Sequence, residues 1–395
     1  MKIREGIIWE AIIIAITLPG SICLNKYLGA DQRGVLATIM IMPTFVGTLI
    51  GCQWDKTIRA NIFENCNCLA EIWWKTKNYL LGMSVVGIFF SIMLIYTQNN
   101  LNSIEKNQAI LASLYLIPLS LAGLFIIAIL NAIHEQREYY YVRIVGPIVF
   151  LLSIMVWSSL ELTISRVIVS YILLWSSIVI LGLFFLKSKI KKDIKSNKKL
   201  EIKKLLKGFG PFLIETTSLQ IDIWLLSNFV GSEVTGAYAA YKIIEIPLRV
   251  IGFGYINTGS TKLKNSESIE SLIKQSSLFL FLVGSFLILC IYLFGKPLVT
   301  MFIGQSFSNY ISIAYYIIFN GVVSVMSGIL MNIIQLKNDN NLYFKIQTVD
   351  GIIKIIAMSI GCILYGTEGI FITMILNSTI KSVYLFRIIT LNNNQ

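Results

Sequence analysis

Along this chain, apolar runs of about 20 residues, the length that spans a bilayer core, recur twelve times between short polar stretches. They lie at 6–26, 34–53, 78–97, 109–133, 139–159, 164–186, 208–229, 235–259, 271–293, 310–334, 342–364 and 367–387. Runs this long and this continuously apolar predict membrane-spanning helices, not the half-buried faces of a soluble domain. The run 235–259 is the most interrupted, carrying Lys242, Glu245 and Arg249. Lys2 and Arg4 stand before the first run as in a signal peptide. Glu5 and Glu10 break that pattern, no small-x-small cleavage site follows, and Ile22 before Cys23 does not suit lipoprotein processing. The first run is therefore expected to be an uncleaved helix.

Composition agrees. Hydrophobic residues make up 55% of the 395 positions and charged residues 14%, with a mean hydropathy of +0.73. A soluble domain carries about 25% charged residues to cover its surface. The expected class is an all-α polytopic membrane protein of about twelve transmembrane helices.

The net charge of +12 would suggest nucleic acid in a soluble protein, but here the positions of the charges decide. Ten lysines lie from Lys187 to Lys207, between the sixth and seventh runs. With the N-terminus inside, the other inner segments hold most of the remaining Lys and Arg. The outer segments hold Lys26, Arg33, Lys106, Arg166 and Lys296. This bias predicts cytoplasmic termini and reads the basic charge as a topology signal. It divides the chain into helices one to six (1–186), a basic cytoplasmic linker (187–207) and helices seven to twelve (208–395), with no nucleic-acid partner.

Small inventories narrow the chemistry. One histidine, His134, excludes a His-rich metal site and argues against a Ser-His-Asp triad. The six cysteines contain no C-x-x-C pair, and no G-x-x-x-x-G-K-[ST] stretch occurs. The sequence thus predicts no catalytic residues, no metal site and no cofactor.

An internal repeat says more. Leu28–Ala37 reads LGADQRGVLA and Val230–Ala239 reads VGSEVTGAYA, so that Gly29, Asp31, Gly34 and Ala37 match Gly231, Glu233, Gly236 and Ala239. Tyr141-Val142-Arg143-Ile144 matches Tyr343-Phe344-Lys345-Ile346 at the same offset. The repeat pairs helices one to six with seven to twelve. Because six is even, both halves enter the membrane from one side as parallel repeats, which is secondary-transporter architecture. The glycines are expected at short outer turns where φ is positive or helices approach closely. Pro19, Pro43, Pro118, Pro147, Pro211 and Pro247 could bend helices.

The segment Y-L-G-A-D-Q-R-G-V-L-A at 27–37 resembles the region after helix one in polysaccharide (O-antigen) flippases of the multidrug/oligosaccharidyl-lipid/polysaccharide exporter superfamily. Ile221 to Tyr238, with Asp222, Gly231, Gly236 and Tyr238, is similar to that family's seventh helix and following loop. Tyr365-Gly366-Thr367-Glu368-Gly369 resembles its turn between helices eleven and twelve. The resemblance implies a MATE-like exporter fold and alternating access. It also implies location in a bacterial inner membrane and coupling to H⁺ or Na⁺. Acidic residues on helix seven of related exporters serve cation coupling, and the resemblance carries that role to Asp222.

Ionisable groups within spans are costly and default to functional positions. Lys242, Glu245 and Arg249, at i, i+3 and i+7, form one stripe on helix eight. Glu215 and Asp222 share a face of helix seven, Asp350 and Lys354 are i, i+4 on helix eleven, and Glu10 lies near the inner end of helix one. The cations Lys242, Arg249 and Lys354 are candidates for binding an anionic substrate. The carboxylates Asp222, Glu245 and Asp350 are candidates for the coupling ion. The same residues also allow a plainer reading, in which Lys242–Glu245 and Asp350–Lys354 are intrahelical pairs that neutralise each other.

The function these features favour is translocation of undecaprenyl-pyrophosphate-linked oligosaccharide repeat units to the outer leaflet. Its partners would be the lipid-linked substrate, membrane lipids, and a glycan polymerase with chain-length machinery. Two alternatives stand beside it. A membrane-embedded glycan polymerase or ligase would carry a long outer loop with catalytic groups. A drug antiporter of the same superfamily would favour a strongly acidic cavity.

Overall fold

The computed structural model describes residues 3–64, 69–98, 100–133, 135–190, 209–249, 252, 266–336 and 340–393. His134, most of the basic linker and the end of the run 235–259 lie outside these residues. The helices are α1 (Ile3–Glu64), α2 (Leu69–Tyr96), α3 (Ser103–Ala132), α4 (Gln136–Ser158) and α5 (Ile164–Ile190). They continue as α6 (Phe209–Leu225), α7 (Ser232–Tyr241), α8 (Ser266–Phe302), α9 (Ile311–Leu336) and α10 (Asn340–Asn393). Seven helices among the described residues are long and apolar enough to cross a membrane, with Leu80–Tyr96 as a shorter apolar stretch. The chain is a multi-pass membrane protein.

Two of these helices are each two spans. α1 has 62 residues, about 90 Å of helix at 1.5 Å per residue, against a hydrocarbon core of about 30 Å. It folds back at Gly29, whose φ is 71°. α10, with 54 residues, does the same at Gly366, where φ is 58°. Only glycine adopts such backbone cheaply, so single glycines mark both turns. The runs 6–26 and 34–53 are the two limbs of α1, and 342–364 and 367–387 are those of α10. Helical dihedrals continue through Pro19, Pro43, Pro118 and Pro147. A proline effect is visible in α8: Phe294 leaves helical geometry (φ −127°) three residues before Pro297, whose ring crowds the preceding turn and lacks an N–H.

The helices form two compact units. The first comprises Ala15–Leu28 and Val35–Thr216. Phe125, Ile129, Val142, Ile178 and Leu186 form one of its cores. Glycines there admit large neighbours: Gly123 faces the Trp175 ring and Gly146 faces Ile178. Lipid tails are as apolar as the helices, so close packing around small residues has to hold such helices together. A buried hydrogen bond of 2.7 Å joins Ser91 to Ser113. Asn102 caps α3 in a reciprocal box with Glu105, satisfying two of the helix's first N–H groups.

The second unit comprises Met1–Ile14, Gly29–Gly34 and Thr217–Gln395. Here the repeat glycines meet. A Cβ on Gly34 would strike the carbonyl of Ser232, and one on Gly236 would strike the carbonyl of Ala30. The two G-x-x-x-x-G turns thus cross backbone to backbone. Asp31 accepts a hydrogen bond from Ser232 Oγ, and Glu233 accepts one of 2.5 Å from Tyr310. Gly29 and Gly231 both have positive φ, 71° and 132°, so each glycine of the motif has a turn or a close approach to serve. Beneath the crossing lies a core that includes Leu226, Tyr238, Tyr241, Phe307, Ile317 and Phe371.

Candidate functional site

Three elements that the sequence leaves irregular build the site. α6 ends in a π turn, Leu226–Val230, closed by the Gly231 N–H on the Leu226 carbonyl at 2.9 Å. Such single wide turns recur at functional positions in helices. After α7 the backbone tightens into a 3-10 turn over Lys242–Ile244 before helical geometry resumes at Glu245. The third element is the α10 hairpin folded at Gly366.

Asp222, on α6 just before the π turn, is 3% exposed. Its Oδ2 receives Lys242 Nζ at 3.0 Å and the Tyr238 hydroxyl, and its Oδ1 receives the Ile223 N–H at 2.8 Å. A buried carboxylate needs a cation and donors to this extent, because its desolvation is otherwise uncompensated. Tyr238 is locked in turn against Phe371, with ring centroids 5.4 Å apart. Lys242 Nζ lies 4.6 Å from the Tyr238 ring centroid, so the ring face adds a favourable cation–π contact.

A second pair spans the α10 hairpin. Asp350 on the first limb takes Lys381 Nζ at 2.7 Å and Asn377 Nδ2 at 2.9 Å, both from the second limb. Asn377 and Lys381 are i, i+4 and so share one helix face. Next to them, Asn320 of α9 accepts from Ser324 of its own helix at 3.3 Å and from Ser378 at 2.9 Å, and the Ser378 bond ties α9 to the second limb.

Lys354 lies one helical turn after Asp350 on the same limb. It is half-buried on the first limb of α10, and among the described residues no carboxylate oxygen lies within 4.0 Å of its ammonium. It nevertheless feels the fields of Asp222 and Asp350, which attract it, and of Lys242 and Lys381, which repel it. Three basic side chains thus face two carboxylates, and Lys354 is the basic group without a carboxylate within ion-pair distance among the described residues.

The third carboxylate has a cation of its own. Glu245, 8% exposed, receives Arg249 at 2.6 Å along its own helix, while the Arg249 side chain is 61% exposed. Lys242, Glu245 and Arg249 therefore do not act as one stripe. The 3-10 turn rotates Lys242 onto Asp222 and leaves Glu245 with Arg249.

All six sequence candidates carry ion-pair or field interactions here, but their partners differ from the intrahelical pairing. Lys242 meets Asp222 and not Glu245; Asp350 meets Lys381 and not Lys354. Lys381 and Asn377 have no role in the sequence reading, where Lys381 counts as an inner flank. Its position well inside the run 367–387 is the signal that identifies it. Tyr238 enters the sequence reading only through its motif, and its hydroxyl on Asp222 gives it a place in the site. Glu10 lies near the start of α1.

No family model matches the chain, and no curated protein matches it in sequence. Solved structures do resemble it. "Lipid II flippase MurJ, inward closed conformation" superposes with a TM-score of 0.77 at 14% identity, over 97% of this chain and 87% of that one. An outward-facing multidrug resistance MATE family transporter of the MOP superfamily gives 0.68 at 13% identity, over 98% and 95%. MATE in complex with MaD5 gives 0.69 at 12% identity, over 100% and 97%. Full-length coverage by both kinds of structure, on a nearly all-helical chain, establishes the architecture: the protein has the MATE-like exporter fold.

Proposed function

We propose that this chain is a flippase for undecaprenyl-pyrophosphate-linked oligosaccharide repeat units. In this reading it works by alternating access in a bacterial inner membrane, with both termini in the cytoplasm. The observation that carries the reading is the cluster of Lys242, Lys354 and Lys381 around Asp222 and Asp350, with its excess cation on Lys354. An excess positive charge held in a membrane span is expensive, and an anionic ligand removes that cost. A sugar diphosphate offers several acceptor oxygens to a lysine with unused donors. No bond is made or broken in translocation, so the residues need only hold the headgroup in one state and release it in another.

Coupling follows from the same pairs. Asp222, Asp350 and Glu245 each hold a basic side chain. A driving H⁺ or Na⁺ at Asp222 would displace Lys242, freeing a second cation for the headgroup. Ion and substrate would thereby bias one equilibrium through a shared lysine. Repeat units so delivered would pass to a glycan polymerase and its chain-length machinery. A second reading, a multidrug antiporter, draws support from the likeness to MATE structures, although a cationic drug would face a cluster of its own sign.

The test is the glycan phenotype of a strain lacking the gene. Accumulation of lipid-linked repeat units on the cytoplasmic leaflet, with none at the surface, is the expected outcome. Single unpolymerised repeats at the surface would mean that translocation is intact and would assign polymerisation instead. An unchanged glycan together with drug sensitivity would favour the antiporter.

A further inference from the structure

The two limbs of α10 leave a groove of about 290 Å³ along their outer side. Val349 and Ile353 line it from the first limb, and Ile380 and Tyr384 from the second. These four are 49%, 51%, 67% and 53% exposed. Apolar walls alone would suit any hydrocarbon, but the rest of the lining is different. The Asp350–Lys381 pair and Asn377 also line the groove, and the exposed Lys345 lines it five residues before Asp350. Two lysines against one carboxylate give the groove a net positive charge.

Hydrocarbon laid over an ion pair forfeits the polar contacts that pair would otherwise make. Lys381 spends one ammonium N–H on Asp350 and has two more to offer. Among the described residues, no carboxylate lies within 4.0 Å of Lys345. A groove with apolar walls and an excess cation complements an amphiphile whose polar end is an anion. The geometry points to a binding site for the headgroup phosphate of a net anionic membrane lipid, held by Lys345 and Lys381, with the acyl chain against Val349, Ile353, Ile380 and Tyr384. By the charge bias of the sequence, Lys345 lies at the cytoplasmic end of its limb, at the depth of the inner-leaflet headgroups. The site shares Lys381 and Asp350 with the cluster of the transport reading, but a lipid bound there need not be the cargo.

The experiment uses the full chain in phosphatidylcholine nanodiscs doped with phosphatidylglycerol that carries a diazirine in its acyl chain. Adducts are mapped by peptide mass spectrometry. Labelling should concentrate on the segments around Val349–Ile353 and Ile380–Tyr384. Lys345→Ala should lower it about fivefold, the effect of one lysine near a charged surface. Ile380→Trp, which fills the groove from an exposed position, should abolish it while leaving thermal stability in place. Inorganic pyrophosphate should not compete. Equal labelling by a phosphatidylcholine carrying the same diazirine tail would overturn the proposal, reducing the groove to apolar solvation. Indifference to Lys345→Ala would overturn it too, and displacement by pyrophosphate would assign the cations to a free anion. None of these outcomes depends on whether the chain translocates anything.

Discussion

Replacing Lys242 by Met leaves the Asp222 carboxylate, 3% exposed, without its closest cation. At 3.0 Å and an effective dielectric near 20, the pair's attraction is about 5–6 kcal/mol before desolvation is subtracted. Breaking a buried pair by removing one partner typically costs about 3–5 kcal/mol. The Tyr238 hydroxyl and the Ile223 N–H remain on the carboxylate, and Lys354 is close enough to feel its field. The expected loss for Lys242→Met is therefore at the lower end, about 3 kcal/mol. Asp222→Asn keeps an acceptor for Tyr238 but strands the ammonium, which is 27% exposed and better able to reach water. Its cost should be smaller, about 1–2 kcal/mol. The double variant removes both charges and should recover most of the loss, giving a coupling free energy of about 2–3 kcal/mol. The assay is equilibrium unfolding of the four proteins in mixed micelles with a denaturing detergent. Additivity of the two substitutions within about 0.5 kcal/mol would refute the pairing and the buried cluster built on it.

Three further outcomes follow from the same geometry. Arg249→Ala removes the cation that the buried Glu245 holds, yet the Arg249 side chain is itself 61% exposed. Export of the glycan should fall less than with Lys354→Met, as read from surface glycan at matched membrane abundance. Gly236→Leu drives a side chain into the Ala30 carbonyl. Membrane abundance and melting temperature should collapse, whereas Gly82→Leu, which meets nothing within 4 Å, should be neutral in both. Exchanging the ends of the second pair, Asp350→Lys with Lys381→Asp, should retain far more stability in the detergent unfolding assay than either single change, because the like charges that each single creates reunite as an opposite pair.

How much of this was visible in the sequence depends on the length scale of each feature. The spans were visible because a bilayer imposes a length and an apolar content on every crossing. The turns at Gly29 and Gly366 were visible because a positive φ selects glycine, whereas the repeat marked Gly34 and Gly236 as turn or close-approach glycines without showing that they cross each other. The six charged candidates stood out because charge within a span is rare. Their pairing was not legible. Lys242 and Glu245, three apart, look like partners on an ideal helix, and only the 3-10 turn at Lys242–Ile244 separates them. That turn has a mark in Pro247, whose ring crowds the Ile243 carbonyl and supplies no N–H to it, but a bend alone does not say which carboxylate Lys242 meets. Lys381 and Asp350 are far apart in sequence, and it is the angle of the α10 hairpin that joins them. The π turn after Leu225 is similarly a consequence of packing and not of composition.

The most direct measurement is translocation by the purified chain. Proteoliposomes would be loaded with a fluorescent undecaprenyl-diphosphate sugar, and its appearance in the opposite leaflet read by lectin or quencher access. The account predicts transfer that speeds up under an imposed H⁺ or Na⁺ gradient. It also predicts that Lys354→Met, with the excess cation gone, loses most of that transfer while folding and membrane abundance persist. Full transfer by Lys354→Met would contradict the role assigned to the lysine cluster, and no transfer by the unaltered chain would contradict the flippase reading itself.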